Sequence, residues 1–315
     1  MAGKIATREA YGKALVELAD RYPELVVLDA DLSGATKTAF FAKAYPKRFF
    51  DCGIAEGNMI GIAAGMAATG LKPFANSFAM FATGRAYEQV RNSVAYPRLN
   101  VKVIGSNGGV SVGEDGATHQ CIEDFALMRA IPGMVVCCPC DGHEMRLAVE
   151  ALLNYDGPAY MRLARSASEI FTDEIEGYEF RLGRGSVLRQ GSDASVIAAG
   201  LMTGRALKAA DILQQEGISV RVINMPTIKP LDKELVLKAA EETGCIVTSE
   251  EHSIIGGLGS AVCEYLSGTC PVPVVRHGVE DCFGRSGKAE QVLEYFGLTP
   301  EGIAAEVREA LKLKK

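Results

Sequence analysis

The sequence predicts an α/β protein of two domains, each a mostly parallel sheet flanked by helices. Three observations predict it. Apolar strand-like runs alternate with helix-like stretches along most of the chain, the pattern of parallel sheets covered on both faces. The alternation breaks once, over the polar stretch SASEIFTDEIEGYEFRLGRGS (166–186), and then restarts. The length, 315 residues, is enough for two cores. The expected organisation is a first α/β domain over 1–166, a linker over 167–186 and a smaller α/β domain over 187–315.

The elements follow in order. An amphipathic helix over Thr7–Tyr22 leads into the buried-strand run ELVVLDADL (24–32). FFDCGI (49–54) precedes a helix of small residues, Glu56–Gly70. KPFANSF (72–78) is a strand, followed by a helical stretch Thr83–Tyr96. NVKVIGSNGG (100–109) is a strand ending in glycines. MVVCCP (134–139), a helix Gly142–Tyr155 and PAYMRL (158–163) complete the first unit. In the second, ASVIAAG (194–200), SVRVINM (219–225), CIVTSE (245–250) and VPVVRHG (272–278) read as strands with helices between.

Charge and cysteine usage narrow the function. Lys plus Arg is 33 and Asp plus Glu is 39, so the formal charge is 33 − 39 = −6. No basic surplus exists to neutralise phosphates, which argues against nucleic acid and an anionic membrane surface. No run reaches the roughly 18 apolar residues of a spanning helix. The N-terminal stretch MAGKIATREAYGKAL acquires charges too early for a signal-peptide core. Nine cysteines, scattered through apolar runs, suit a reduced cytosol better than a disulfide framework. The cluster Cys137, Cys138, Cys140 lacks the paired spacing of zinc sites and reads as buried strand-end thiols.

In open α/β sheets ligands sit beyond the carboxyl ends of strands, so the residues there carry the search for chemistry. Glu56 is a lone carboxylate opening a helix of small and apolar residues. It reads as a helix-start acid, or as a carboxylate held in an apolar site to grip a heterocyclic nitrogen. GSNGGVSVGEDGATHQ (105–120) surrounds Glu114, Asp115 and His119 with loop glycines. An Asp and a His four residues apart on one loop can both face a polar substrate. Phe78 and Phe81 follow a strand and suit either core packing or stacking on a planar ring. Arg8, Arg162 and Arg165 read as phosphate ligands or salt-bridge partners. His252 precedes a GGLG turn able to receive an anion at a helix N-terminus.

Together these segments resemble the C-terminal part of transketolase, in the split form in which the enzyme is two polypeptides. The resemblance rests on ATREAYGKAL (6–15), LDADLSGAT (28–36), FFDCGIAEGNMIGIAAGMAATGLKPF (49–74), RAYEQVRNSVA (85–95) and VSVGEDGATHQCIEDFALMRAIPGM (110–134). SEEHSIIGGLGSAV (249–262) is similar to the family's C-terminal domain. The resemblance implies a pyrimidine-binding domain, a transketolase C-terminal domain and a thiamine diphosphate enzyme. Glu56 matches the glutamate that hydrogen-bonds N1′ of the aminopyrimidine and so activates the thiazolium carbon. Phe78 or Phe81 would stack on the pyrimidine, and Asp31 matches an aspartate near the cofactor. Asp115 and His119 match residues that hold the donor's hydroxyl and carbonyl oxygens. Arg8 and Arg165 match arginines that receive the sugar's phosphate tail. Asn107 stands where full-length members commonly carry His, and Ala35 falls near the phosphate-site serine, with Thr36 beside it.

The family binds the diphosphate and its Mg²⁺ through a GDG motif followed by Asn, and this sequence has no GDG. The resemblance therefore implies Mg²⁺ ligands on a partner, an N-terminal diphosphate-binding subunit, in an α2β2 assembly acting on phosphorylated sugars. The rivals are 1-deoxyxylulose-5-phosphate synthase, a 2-oxo acid dehydrogenase β subunit and, from another class, a non-catalytic α/β subunit that binds a partner. Intact Glu56 and His119 argue against the last.

Overall fold

The computed structural model describes residues 3–314. The strands, in chain order, are Lys4–Ala6 (β1), Leu25–Asp29 (β2), Phe49–Asp51 (β3), Lys72–Phe78 (β4), Lys102–Ser106 (β5), Val135–Cys137 (β6) and Ala159–Arg162 (β7). They continue with Ala167–Glu169 (β8), Ser186–Arg189 (β9), Ala194–Ala198 (β10), Val220–Asn224 (β11), Thr227–Lys229 (β12), Ile246–Ser253 (β13) and Val274–Val279 (β14). Seven form one sheet in the order β12-β6-β7-β5-β4-β2-β3, parallel throughout except for β12. Five form a second, β14-β13-β10-β11-β9, parallel except for β9.

Side-chain alternation sorts each sheet into two cores. Leu25, Val27, Phe74, Ile104 and Met161 face one layer, with Tyr11, Leu15 and Leu152 from the helices Thr7–Leu18 and Gly142–Asn154. Val26, Leu28, Ala75, Val103 and Tyr160 face the other. That second core runs on into the C-terminal half through Ile197, Ile223, Ile246 and Leu258. The far face of the five-stranded sheet holds a third core, with Val196, Val222 and Val247 against Ile303 and Val307 of the helix Pro300–Leu313.

The inner strands of the large sheet are buried on both faces and read as mostly apolar runs, which is why they are visible in the sequence. The two halves are nevertheless interlocked. β12 leaves the second domain and pairs antiparallel with β6 at the edge of the first sheet, Thr227 opposite Cys137, while Ile228 enters the shared core. The expected linker is docked rather than free. β8 pairs antiparallel with β1, and the Asp141 carboxylate accepts hydrogen bonds from the Phe171 and Thr172 amides at 2.9 and 2.8 Å. Tyr178 donates its hydroxyl to Glu144 at 2.5 Å.

The expected helix over 83–96 is not a regular α-helix. Residues Phe81–Arg85 and Val90–Ala95 form π turns on either side of Tyr87–Gln89. Such widened turns concentrate at functional sites. No described helix is long and apolar enough to cross a membrane.

Candidate active site

β2, β4, β5 and β7 end at the same edge of the large sheet, and the candidate residues lie just beyond those ends. Glu56 opens the helix Glu56–Ala68, whose N-cap, Ala55, offers no side-chain cap. The carboxylate does not cap the helix either. It is 1% exposed, accepts the Arg85 guanidinium at 2.9 Å on Oε2, and receives the Ser77 hydroxyl at 3.3 Å on Oε1. Arg85 is half-exposed and lies 4.4 Å over the Phe81 ring, which the π turn brings onto the same side. Phe78 and Phe81 stack with centroids 6.1 Å apart, and His119 meets both edge-on, at 6.0 and 5.2 Å. A buried carboxylate, two aromatic rings and an imidazole thus share one corner.

A second group adjoins it through the same glycine-rich loop. Arg8 donates to the Ala35 carbonyl at 2.9 Å and to Asn107 Oδ1 at 3.4 Å. Its buried Nε has no partner. Arg165 donates to the Val112 carbonyl at 2.7 Å and to Asp115 at 3.1 Å. Burial, and then the nearby Arg165 charge, lowers the Arg8 pKa below the ordinary arginine value. Two guanidiniums that repel each other, one with an unmatched donor, form a corner that favours an anion.

Asp31 stands apart. Its carboxylate is exposed, and its backbone, at φ +60°, turns the chain and donates to Asp51 at 3.2 Å. Asp is among the few residues that tolerate this left-handed conformation. The buried acid of this loop is instead Asp29, which the sequence reading missed. It accepts the Leu32 amide at 2.6 Å and the Thr36 and Thr38 hydroxyls at 2.7 and 2.8 Å. Burial raises its pKa to about 6. It fixes the turn that presents the Ala35 carbonyl to Arg8. Arg85 was missed too, although it opens the stretch RAYEQVRNSVA (85–95).

Two other candidates turn inward. Arg162 is buried, donating from Nε to Asp124 at 2.7 Å and from Nη2 to the same carboxylate, so it is no anion ligand. His252 is buried and stacks on Phe125, with centroids 5.0 Å apart, and burial lowers its pKa to about 4. The helix N-terminus after the GGLG turn is already occupied by the protein's own Glu250 carboxyl group, which accepts the Leu258 and Gly259 amides at 2.7 and 2.8 Å. Cys137, Cys138 and Cys140 are all buried, and burial pushes the Cys138 thiol up to about 12.

Nearly the whole chain is similar to known proteins. Residues 3–169 match the transketolase pyrimidine-binding domain, and residues 183–303 match the transketolase C-terminal domain. A putative transketolase C-terminal section from Methanocaldococcus jannaschii is 49% identical over 97% of this chain and 96% of its own length. The 6-deoxy-6-sulfo-D-fructose transketolase subunit SqwH from Clostridium sp. is 45% identical, over 98% of this chain and 95% of its own length. A solved structure described as a split gene transketolase in an inactive β4 tetramer superposes with a TM-score of 0.91 at 51% identity, covering 99% of this chain and 100% of the other. The chain belongs to the transketolase family, of which it spans the pyrimidine-binding and C-terminal domains.

Proposed function

We propose that this chain is the C-terminal subunit of a two-chain, thiamine diphosphate-dependent transketolase that moves a two-carbon ketol unit from a ketose phosphate to an aldose phosphate. The observation that carries the reading is the buried Glu56 carboxylate beside the stacked Phe78 and Phe81 rings. The donor set fits an aminopyrimidine. The rings offer a planar apolar wall. Oε1 of Glu56 is engaged only by a long 3.3 Å contact and retains capacity for a ring nitrogen. When bound, thiamine diphosphate supplies a nucleophilic carbon and an electron sink for the ketol unit.

The chain's own residues divide the remaining work. Glu56 shares a proton with the pyrimidine ring nitrogen, and Arg85 balances the carboxylate charge from its other oxygen. Phe78 and Phe81 exclude water from one ring face. His119 and Asp115, from one loop, take the hydroxyl and carbonyl oxygens of the donor, where a hydrogen bond to developing negative charge lowers the barrier. Arg8 and Arg165 take the anionic tail. Asp31, exposed in this chain, is assigned to the cofactor side of the site by resemblance.

Mg²⁺ and the diphosphate belong in this reading to an N-terminal partner subunit, because the sequence lacks the GDG motif. The assembly is then α2β2 and the setting cytoplasmic. The tail need not be phosphate. The relative from Clostridium sp. is named for a sulfonated sugar, and one from Phocaeicola vulgatus, 41% identical, for apulose-4-phosphate. A guanidinium pair accepts either anion.

The test is reconstitution. The purified chain is assayed for ketol transfer with thiamine diphosphate and Mg²⁺, alone and with a diphosphate-binding partner of roughly 270–300 residues. Phosphorylated and sulfonated ketoses serve as donors. Turnover only in the mixture is expected. Turnover by the chain alone overturns the two-chain reading, and a preference for the sulfonated donor overturns the phosphate assignment.

A further inference from the structure

The loop that carries Asp115 and His119 is gripped from outside its own domain. Glu251 lies on β13 of the C-terminal domain, is 5% exposed, and accepts the Ser111 amide at 2.5 Å. On the loop side, Gly109 sits at φ +82° and so close that a Cβ there would stand 2.4 Å from the Glu251 carboxylate. The Glu251 carbonyl is held in turn by Arg162 Nη1 at 2.7 Å. A second grip closes the far end of the loop. Gln120 donates to the Arg285 carbonyl at 2.8 Å, and a Cβ at Gly116 would strike Ser286 Oγ. Between the two grips, Asp115 meets Arg165, and the His119 imidazole pairs with the hydroxyl of its neighbour Thr118.

We infer that Glu251 is a positioning residue: its carboxylate clasps the Ser111 amide across the domain seam and so fixes where Asp115 and His119 stand. Docking two domains does not require a buried carboxylate on a single backbone amide, since apolar packing achieves that without removing a charge from water. A carboxylate on one amide fixes register and distance, which a substrate-holding loop needs. A shift of about 1 Å at such a site costs about 100-fold in rate. Burial raises the Glu251 pKa, in keeping with a carboxylate withdrawn from water for this contact. The kinetic part of this inference rests on the transketolase reading; the structural part does not.

The experiment therefore has two arms. In the full chain, amide hydrogen exchange is compared across wild type, Glu251→Ala, Glu251→Gln and Gly109→Ala. In the reconstituted pair, donor KM and kcat are measured for the same proteins. Glu251→Ala is expected to speed exchange at Ser111 and through residues 108–120 by about tenfold or more, with β4 and β5 unchanged. Donor kcat/KM falls by about the same factor. Glu251→Gln still presents an acceptor oxygen and restores most of both. Gly109→Ala loosens the same contact from the loop side and serves if Glu251→Ala does not fold. Unchanged exchange over 108–120 overturns the inference. So does a uniform rise in exchange over both domains, or a Gln variant as impaired as the Ala variant. If the wild-type pair shows no ketol transfer, the transketolase reading fails, while the exchange arm still decides whether Glu251 holds the loop.

Discussion

Replacing Asp124 by Asn should cost this chain about 3 kcal/mol of stability, and Asp124→Ala about 5. Asp124 opens the helix Asp124–Ala130 and is fully buried. Its carboxylate takes two donors from Arg162, Nε at 2.7 Å and Nη2, and the Tyr160 hydroxyl at 2.5 Å. Burial opposes its ionisation, yet the Arg162 guanidinium outweighs burial and holds the carboxyl below the usual carboxylate range. Arg162 is equally enclosed, 3.8 Å over the Phe125 ring. Removing the acid leaves a buried guanidinium without a counter-charge, which costs about 3–5 kcal/mol. Asn keeps one acceptor oxygen and sits at the lower end of that range. The assay is urea unfolding followed by circular dichroism and tyrosine fluorescence, with free energies from linear extrapolation. A matched double variant, Asp124→Leu with Arg162→Met, identifies the cause, because replacing a buried pair by apolar groups of similar volume is often neutral. It should recover most of the loss. A cost under about 1 kcal/mol for Asp124→Asn, or a double variant no better than the single, would refute the stranded-charge argument.

Three further outcomes are expected. Glu56→Gln should lower ketol transfer by about 10²–10⁴-fold. Its stability should change by under about 1 kcal/mol, because its partner Arg85 is half-exposed; near wild-type turnover would remove Glu56 from the chemistry. Arg8→Ala and Arg165→Ala should each raise KM for a phosphorylated donor about 10–100-fold while kcat moves far less. Equal losses with an uncharged sugar would show that the pair does not read the anion. The third outcome concerns pH. Burial raises the Glu250 pKa from 4.5 to about 7, so its contribution to stability is fully present below about pH 4.5 and is lost as pH rises through 7. At about 1.36 kcal/mol per pH unit this amounts to about 3 kcal/mol. The wild-type urea midpoint should therefore fall between pH 4.5 and 8 relative to Glu250→Gln, and parallel profiles would reject the linkage.

The sequence makes the central strands legible because parallel strands buried on both faces leave mostly apolar runs, as in Leu25–Leu28 of β2. Residues 72–78 are read to the residue. β12 was not legible: three residues after Pro226 carry no period, and only the exposed edge of the first sheet gives them a partner. The π turns on either side of Tyr87 were hidden because helical spacing predicts a helix without its pitch. At the site, motif residues such as Glu56 and His119 announced themselves, while the groups that order the surrounding loops did not. Asp29 is the last residue of a strand run and looks like its end, and its role appears only when Thr36 and Thr38 fold back upon it. Glu251 lies 140 positions from the amide it accepts, beyond the reach of any local pattern.

That separation bears on how a site of this kind can be divided between polypeptides. The pyrimidine-binding domain here borrows β12 for its sheet, a continuous core with Ile197, Ile223 and Leu258, and the Glu251 and Arg285 contacts for its glycine-rich loop. Each comes from the C-terminal half. Separating the two domains would unpair a sheet edge, open a shared apolar core and free the loop that carries Asp115 and His119. Hydrophobic burial and buried hydrogen bonds both oppose that cut. The diphosphate-binding partner proposed above would be different in kind, because it would need only to meet a finished surface. The arrangement therefore keeps these two domains on one chain and, on the proposed function, leaves the boundary with a partner as the place where the site would be divided.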